Sequence, residues 1–480
     1  MRRRALLRTL GSGLALGSAG LASGHPTATG NGTPPPESAA TDPLGSVSVE
    51  DTREAVLSDD GTTAFVATVD GFAVVDVSDP TAMTVLARQR VLADHEDGPL
   101  GGIWDLHCDG DRLLVAGPAN GSGSLWGYGY FDVSDPASPE QLAGRETDFY
   151  VHNCFLRDGV GYFSGNGLEG SPLVILDVET GDELARWRVR DADERYADLP
   201  FGMVNLHDVW VAGDYAYLAY WDAGTWCLDV SDPADPVLVS RVRGRPVDEL
   251  LAVEDTRREA TEPPGNDHFV TVDESGDLLG VGTESWAADQ RPPGGPGGIE
   301  CYDVSDPSAP ELLGEILPPS TPDPTRGGVW TTSHNFELTN DRCYASWYQG
   351  GVTVHDLTDP AEPRELFHWR EADRGKFWTA RLVSPGEYFL GASIGAFGSN
   401  TDADESPLES GLFAFPDPTG SIPSSTESPS STTASATDGD DSTATGGEPT
   451  PTNGTGAGAG LGAGLLGLAV GAWLRRRRSE

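Results

Sequence analysis

The chain is 480 residues long and carries 75 acidic side chains against 31 lysines and arginines, which gives a formal net charge of −44. This charge excludes a nucleic-acid-binding protein, which must neutralise phosphates, and it argues against docking on anionic membrane surfaces. The 61 glycines and 36 prolines argue against a helical protein, because both residues interrupt helices. Molar salt screens self-repulsion of this size, so we interpret the acidity as that of a protein from a halophile.

Residues 1–24 are predicted to form a signal peptide. The pair Arg3-Arg4, followed after one residue by Leu-Leu-Arg, resembles a twin-arginine export motif. The weakly apolar stretch that runs on to about Ala22 is too short and too rich in glycine to span a membrane. We therefore expect the protein to be exported, with residues 25–43 as a disordered linker before the folded domain.

One short pattern recurs through residues 44–418: a run of hydrophobic residues, an aspartate, and a turn that closes in Asp-Pro. The anchoring aspartates are Asp76, Asp132, Asp229, Asp303 and Asp356, together with Asp177 in a weaker copy with a different turn and Asp417 in a decayed copy. Each copy alternates like a β-strand, and the aspartate before the proline is placed to accept hydrogen bonds from turn amides. Other short strands precede and follow each copy. Seven units of four antiparallel strands predict an all-β fold, a seven-bladed β-propeller.

The hydrophobic run that ends in Asp-Val-Ser-Asp-Pro-x-x-Pro resembles the LVIVD-repeat family of exported prokaryotic proteins. The resemblance covers residues 44–418 and implies a surface β-propeller, but it implies no particular activity. The seventh unit ends at Pro418 without an outer strand, whereas residues 44–49 look like an outer strand without a blade. We predict that this first strand completes blade seven and closes the ring, which removes an exposed sheet edge.

Five of the nine histidines are predicted to share one repeat position, the start of the first strand of a blade: His107, His152, His207, His268 and His334. First strands line the central channel of a propeller, so we expect these rings to converge there. Glu54 lies near the same position of the first blade. The three polar residues that directly follow a histidine are candidates for orienting the rings: Asn153, Asp208 and Asn335.

Imidazoles that converge from several blades can ligate a transition metal, and the softness of the nitrogen ligand makes Cu, Fe or Zn the candidates. Two other interpretations stay open. The histidines can cap strands and pack between blades in a purely structural role, or they can bind a substrate without a metal. The Pro- and Gly-rich insertions 244–267, 284–298, 318–332 and 395–410 are predicted to form face loops that contact partners.

The chain is predicted to end in an anchor. Residues 419–454 are dominated by Ser, Thr, Gly, Pro and acids, a composition that cannot bury a core and predicts a disordered stalk. Residues 455–474 are uncharged, and twenty residues of helix span about 30 Å, one hydrocarbon core. The basic tail 475–480 is predicted to stay in the cytoplasm, so a transmembrane or sorting helix would hold the domain on the extracellular face of the cell membrane.

These features together predict an exported, surface-anchored binding module. Its partners would be envelope proteins, glycans or a small molecule, and the C-terminal helix would contact the membrane. One alternative is an exported metal-dependent oxidoreductase or hydrolase that uses the histidine ring. Another is a structural component of a surface layer. The fold does not decide among them, because propellers host all three roles.

Overall fold

The computed structural model describes residues 42–121, 123–289, 294–396 and 408–418. These residues form seven separate four-stranded antiparallel sheets, which confirms the predicted seven-bladed β-propeller. Within the same residues, no helix is both long enough and apolar enough to cross a membrane. The predicted signal peptide, stalk, membrane helix and basic tail lie outside the described residues, as does the linker up to residue 41.

The strands are numbered in chain order, beginning with β1 (Gly45–Ser48), and each blade is built from its innermost strand outwards. Blade 1 contains β2 (Thr52–Leu57), β3 (Thr63–Thr68), β4 (Gly71–Asp76) and β5 (Thr84–Gln89). Blade 2 contains β6 (Asp105–Asp109), β7 (Arg112–Gly117), β8 (Gly127–Asp132) and β9 (Glu140–Glu146). Blade 3 contains β10 (Tyr150–Arg157), β11 (Val160–Asn166), β12 (Leu173–Asp177) and β13 (Glu183–Trp187).

The remaining blades follow the same plan. Blade 4 contains β14 (Asp208–Ala212), β15 (Tyr215–Ala219), β16 (Thr225–Asp229) and β17 (Val237–Arg241). Blade 5 contains β18 (Asp267–Val272), β19 (Leu278–Thr283), β20 (Ile299–Asp303) and β21 (Glu311–Ile316). Blade 6 contains β22 (Phe336–Leu338), β23 (Arg342–Ser346), β24 (Val352–Asp356) and β25 (Arg364–Trp369). Blade 7 contains β26 (Phe377–Ser384), β27 (Tyr388–Ile394), β28 (Ser410–Pro416) and, as its outer strand, β1.

Short helices occupy two of the connections between blades. The connection from blade 3 to blade 4 contains α1 (Val189–Ala192) and two 3₁₀ turns, Glu194–Asp198 and Phe201–Met203. The connection from blade 4 to blade 5 contains α2 (Val247–Leu251) and α3 (Thr256–Glu259). Each connection leads directly into the innermost strand of the following blade. The helices therefore lie at the end of the propeller where the inner strands begin.

The first strand closes the ring, as predicted. β1 pairs antiparallel with β28 over all four of its residues, from Gly45 opposite Ala414 to Ser48 opposite Gly411. Gly411 has a φ of +144°, and a Cβ atom there would lie 2.1 Å from the backbone oxygen of Val47, so no other residue fits this close approach. The first and last segments of the domain thus share one sheet, and β28 is paired on both of its sides.

The repeated aspartates hold the turns between the third and fourth strands. The Asp76 carboxylate accepts hydrogen bonds from the backbone amide of Ser78 (3.0 Å) and from its hydroxyl (2.6 Å). The same pair of bonds recurs at Asp132, Asp229 and Asp303. The middle strands are buried between neighbouring blades: β3 and β19 are buried along their whole length. Stacked apolar faces therefore supply the core, and the turns fix where each blade begins and ends.

Candidate functional site

Six aromatic side chains encircle the channel at one level, and we call them the axial ring: Trp104, His152, His207, His268, His334 and Trp378. Each comes from a different blade, and each contacts the next. Successive ring centroids lie 5.5 Å (Trp104–His152), 3.9 Å (His152–His207), 3.9 Å (His207–His268), 4.6 Å (His268–His334), 3.9 Å (His334–Trp378) and 5.7 Å (Trp378–Trp104) apart. Blade 1 contributes Arg53, whose guanidinium lies 5.9 Å from the Trp104 ring centroid.

β-bulges turn these side chains toward the channel. The register of the innermost strand shifts between Val151 and Cys154 in blade 3, and the bulge contains His152 and Asn153. Equivalent shifts contain His268 in blade 5 and Trp378 in blade 7. A bulge leaves an extra residue unpaired and re-aims its side chain, so two consecutive residues can line the channel.

The ring encloses a cavity of about 20 Å³. Beneath the ring the walls are completed by Asp105, Asn153, Asp208, Phe269 and Asn335. A space of this size admits roughly one water molecule or one bare ion, and it is too small for a sugar or a peptide side chain. Only a very small ligand would fit between the ring side chains.

Backbone carbonyls set the orientation of three of the imidazoles. The Nδ1 atom of His152 lies 3.1 Å from the Ala119 carbonyl oxygen, and that of His207 lies 3.1 Å from the carbonyl of His268. The Nδ1 atom of His334 lies 2.7 Å from the carbonyl of Trp378. A carbonyl oxygen only accepts hydrogen bonds, so Nδ1 carries the proton in each ring and Nε2 keeps its lone pair.

The four ring histidines are neutral near pH 7. Burial lowers the pKa of His152 to about 4. Burial also holds the pKa values of His207, His268 and His334 well below the usual value, and the neighbouring imidazoles lower them further. A neutral imidazole is the form that ligates metals or accepts hydrogen bonds. The ring is thus a set of uncharged nitrogen acceptors.

Glu284 joins the ring without having been predicted. Its Oε2 lies 3.7 Å from His268 Nε2, and its Oε1 accepts a hydrogen bond of 2.5 Å from the Tyr348 hydroxyl. One ligand atom each from His268, Glu284 and His334 lies within 4.8 Å of the others, and all three residues are buried. The strand register carried a signal for Glu284. Asp267 pairs with Thr283 at the open end of the hairpin, so His268 in the bulge and Glu284 just beyond β19 both lie close to that pair.

The structure corrects the prediction for His107. The axial ring residue of blade 2 is Trp104, which directly precedes β6 just as His207 directly precedes β14. His107 lies three residues further along the channel and packs against Phe155, with ring centroids 3.8 Å apart. Burial lowers its pKa to about 3. It is a packing residue of a deeper level and does not meet the other four histidines.

The polar residues that follow the ring residues bind neighbouring blades, not imidazoles. Asn153 accepts a hydrogen bond from the amide of Val209 (3.4 Å), and Asp208 accepts one from the amide of Val270 (2.8 Å). Asn335 donates to Glu54 (2.5 Å), which places Glu54 in this second level and not in the ring. Backbone carbonyls therefore orient the imidazole rings, a role that we predicted for Asn153, Asp208 and Asn335.

Comparison with known proteins agrees with the repeat and with the fold. The LVIVD repeat model matches residues 60–89, in blade 1, and residues 205–243, in blade 4. The chain is a β-propeller that carries LVIVD repeats in two of its blades. No curated protein shows significant sequence similarity to it.

Solved propellers resemble this LVIVD-repeat protein only in fold. The β-propeller domain of Cps50 (Swd1) from Myceliophteria thermophila is 11% identical, with a TM-score of 0.50 over 73% of this chain and 96% of that one. U3-55K is 10% identical, with a TM-score of 0.53 over 80% of this chain and 100% of that one. At such identities the likeness supports the architecture alone, so the function has to be argued from the axial ring.

Proposed function

We propose that this LVIVD-repeat propeller is a binding module, exported and anchored on the outer face of the cell membrane of a halophile, that takes a small cation or hydrogen-bond donor in the axial ring. One observation carries the proposal. Four neutral imidazoles meet around one cavity, and buried nitrogens among them, His268 Nδ1 and His334 Nε2, have no hydrogen-bond partner within the described residues.

Packing alone does not account for histidine at this level. An unpaired buried polar atom costs about 1–3 kcal/mol, and most buried polar groups are paired. The fold accepts apolar aromatics at the same position, because Trp104 and Trp378 complete the ring. The bonds to backbone carbonyls give Nδ1 of His152, His207 and His334 a structural role, but they leave the buried Nε2 of His334 without one. The neutral nitrogens therefore argue for a ligand that supplies a positive charge or a proton donor.

The loops next to the axial ring could also bind larger partners. The two connections that carry the short helices lead into blades 4 and 5, next to His207 and His268. They border the ring and offer the surface on which an envelope protein or a glycan would dock. Export and anchoring are supported by the sequence signals at both ends of the chain, residues 1–24 and 455–474.

Thermal unfolding of the purified full chain in molar KCl tests the binding proposal. The probes are Zn²⁺, Cu²⁺ and Fe²⁺ on one side and ammonium, methylammonium and methanol on the other. At least one probe should raise the melting temperature of the wild type, because a ligand that binds only the folded state stabilises it. His334→Phe should abolish the shift, whereas His355→Phe, a buried histidine outside the ring, should preserve it. If no probe shifts the wild type, the proposal fails.

Cell fractionation in a halophilic host tests the proposed export and membrane anchoring. The wild type should be found in the membrane fraction and be accessible to added protease. Replacing Arg3 and Arg4 together by lysine should retain the chain in the cytoplasm. Removal of residues 455–480 should release it into the medium. A wild-type chain that stays cytoplasmic would contradict export.

A second candidate function is favoured by one specific observation, the meeting of His268, Glu284 and His334. Two imidazoles and one carboxylate are a ligand set used by metal-dependent hydrolases and oxygenases. The cavity of about 20 Å³ restricts any such reaction to very small substrates. A binding module without catalysis needs no substrate channel, so we place binding first.

A further inference from the structure

We infer that His268, Glu284 and His334 form a site for one divalent transition metal ion in the axial ring. The inference rests on the proposed function, because it names the ligand of the same cavity. It replaces the predicted ring of five histidines by a smaller set, of which Glu284 is a member that no sequence pattern had marked.

The spacing of the three ligand atoms is close to that of a metal site. With bonds of about 2.1 Å, two ligands of a tetrahedral ion lie about 3.4 Å apart. His268 Nε2 and Glu284 Oε2 are 3.7 Å apart, and all three ligand atoms lie within 4.8 Å of one another. Side-chain rotations that shorten these separations by about 0.3–1.4 Å would close the set around an ion.

The separation of His268 and Glu284 also shows that these side chains do not hydrogen-bond to each other. A hydrogen bond between a ring nitrogen and a carboxylate has a length of about 2.7–3.2 Å, so His268 and Glu284 do not form one at 3.7 Å. His334 Nε2 is buried without a partner among the described residues. His334 has its proton on Nδ1, bonded to the Trp378 carbonyl, so the unpartnered Nε2 carries a free lone pair.

Two of the ligand residues are oriented by hydrogen bonds with neighbouring groups, as metal ligands usually are. The Trp378 carbonyl fixes the tautomer and the orientation of His334, and the Tyr348 hydroxyl fixes the carboxylate of Glu284. Such outer contacts raise ligand basicity and keep the donors in place before the ion arrives. The ring of His207 packs beside that of His268, with centroids 3.9 Å apart.

The donor set selects the class of ion. Ca²⁺ and Mg²⁺ require several oxygen ligands, and this cluster offers one carboxylate and two imidazoles. The affinity must then come from nitrogen, which favours Zn²⁺, Fe²⁺ or Cu²⁺ over the hard cations.

Zinc titration by calorimetry, with the full chain freed of metal by a chelator and kept in molar KCl, tests the inference. The wild type should bind one equivalent of Zn²⁺. His334→Phe should abolish this binding, and Glu284→Gln, which keeps the shape of the side chain, should weaken it at least about tenfold. His355→Phe is the matched control and should bind as the wild type does. Circular dichroism and the unfolding midpoint of each variant check that it has folded.

Cobalt(II) gives an independent readout of the ligands. Its visible absorption is far stronger in a tetrahedral site than in water, and the band should appear in the wild type and change position in Glu284→Gln. Absence of stoichiometric Zn²⁺ binding, or equal affinity in wild type, Glu284→Gln and His334→Phe, would overturn the inference. If ammonium or methanol stabilises the wild type while Zn²⁺ does not bind, the proposed binding function is supported and the inferred metal site is wrong. If no probe binds, both the proposed binding function and the metal site are wrong.

Discussion

Replacement of Arg381 by methionine tests whether the level beneath the axial ring holds the propeller together. Arg381 in blade 7 donates to the Glu54 carboxylate (3.0 Å) and to the Ala55 carbonyl (3.3 Å), both in blade 1. Glu54 is 2% exposed and also receives the amide of Asn335 from blade 6. One guanidinium thus links the last blade to the first, across the point where the ring closes.

The expected loss follows from these contacts. The charge-assisted bond to Glu54 contributes about 1.5–3 kcal/mol and the bond to Ala55 about 1 kcal/mol. Arg381→Met also leaves the Glu54 carboxylate buried without its cation, and removing one partner of a buried pair costs about 3–5 kcal/mol in total. Methionine keeps most of the apolar volume, so the loss reports the charge and not a cavity.

Urea unfolding followed by tryptophan fluorescence, at one fixed KCl concentration, measures the change in the free energy of unfolding. The double variant Glu54→Gln/Arg381→Met should recover most of the loss, because it removes the unpaired charge. A single variant within about 1 kcal/mol of the wild type would refute the reasoning. So would a double variant whose loss equals the sum of the two single losses, since the pair would then be uncoupled.

Three further predictions concern other parts of the propeller. Burial, with repulsion from Glu259, raises the pKa of Asp222 from 3.8 to about 8, so the folded state keeps a proton that the unfolded chain releases. The free energy of unfolding should fall as the pH rises through this window, and Asp222→Asn should remove that fall in urea titrations at several pH values. Val49→Asp should cost about 3 kcal/mol or more at the closing seam, by the same assay, while Ser46→Asp on the exposed face of β1 should cost little. The melting temperature should rise steeply from about 0.1 M to about 3 M KCl, because added salt screens the net charge of −44; an unchanged value would contradict the halophilic interpretation.

The blades were predictable because each one repeats a local rule. An aspartate two residues before a serine or threonine holds the turn by itself, as Asp76 does for Ser78, so the pattern marks a strand end wherever it occurs. Closure was predictable by counting: a strand without a blade at residues 44–49 matched a blade without an outer strand at Pro418. Export, the stalk and the membrane helix stay predictions, since residues 1–41 and 419–480 lie outside the described part of the chain.

The site was harder to predict because the repeat does not fix which residue type faces the axis. An alignment on histidine selected His107, whereas the axial ring position lies close to the start of each inner strand and is held by Trp104 in blade 2 and Trp378 in blade 7. Bulges add a second difficulty, since they let neighbours such as His152 and Asn153 both line the channel. Glu284 comes from a loop between two strands of blade 5, where only the pairing register reveals its position.

The axial ring and the level of polar residues beneath it have different structural roles in the channel. Asp208 and Asn153 bind amides of the next blade, and Glu54 binds side chains of blades 6 and 7, so this level sets how blades are spaced around the axis. The ring lies one residue earlier on the same strands, and its imidazoles take their orientation from backbone carbonyls that this spacing positions. The nitrogens are therefore arranged before any ligand arrives, and ligand binding need not supply the cost of ordering them. Such rigidity is expensive to build around neutral buried histidines, and it has a clear use only if something binds there.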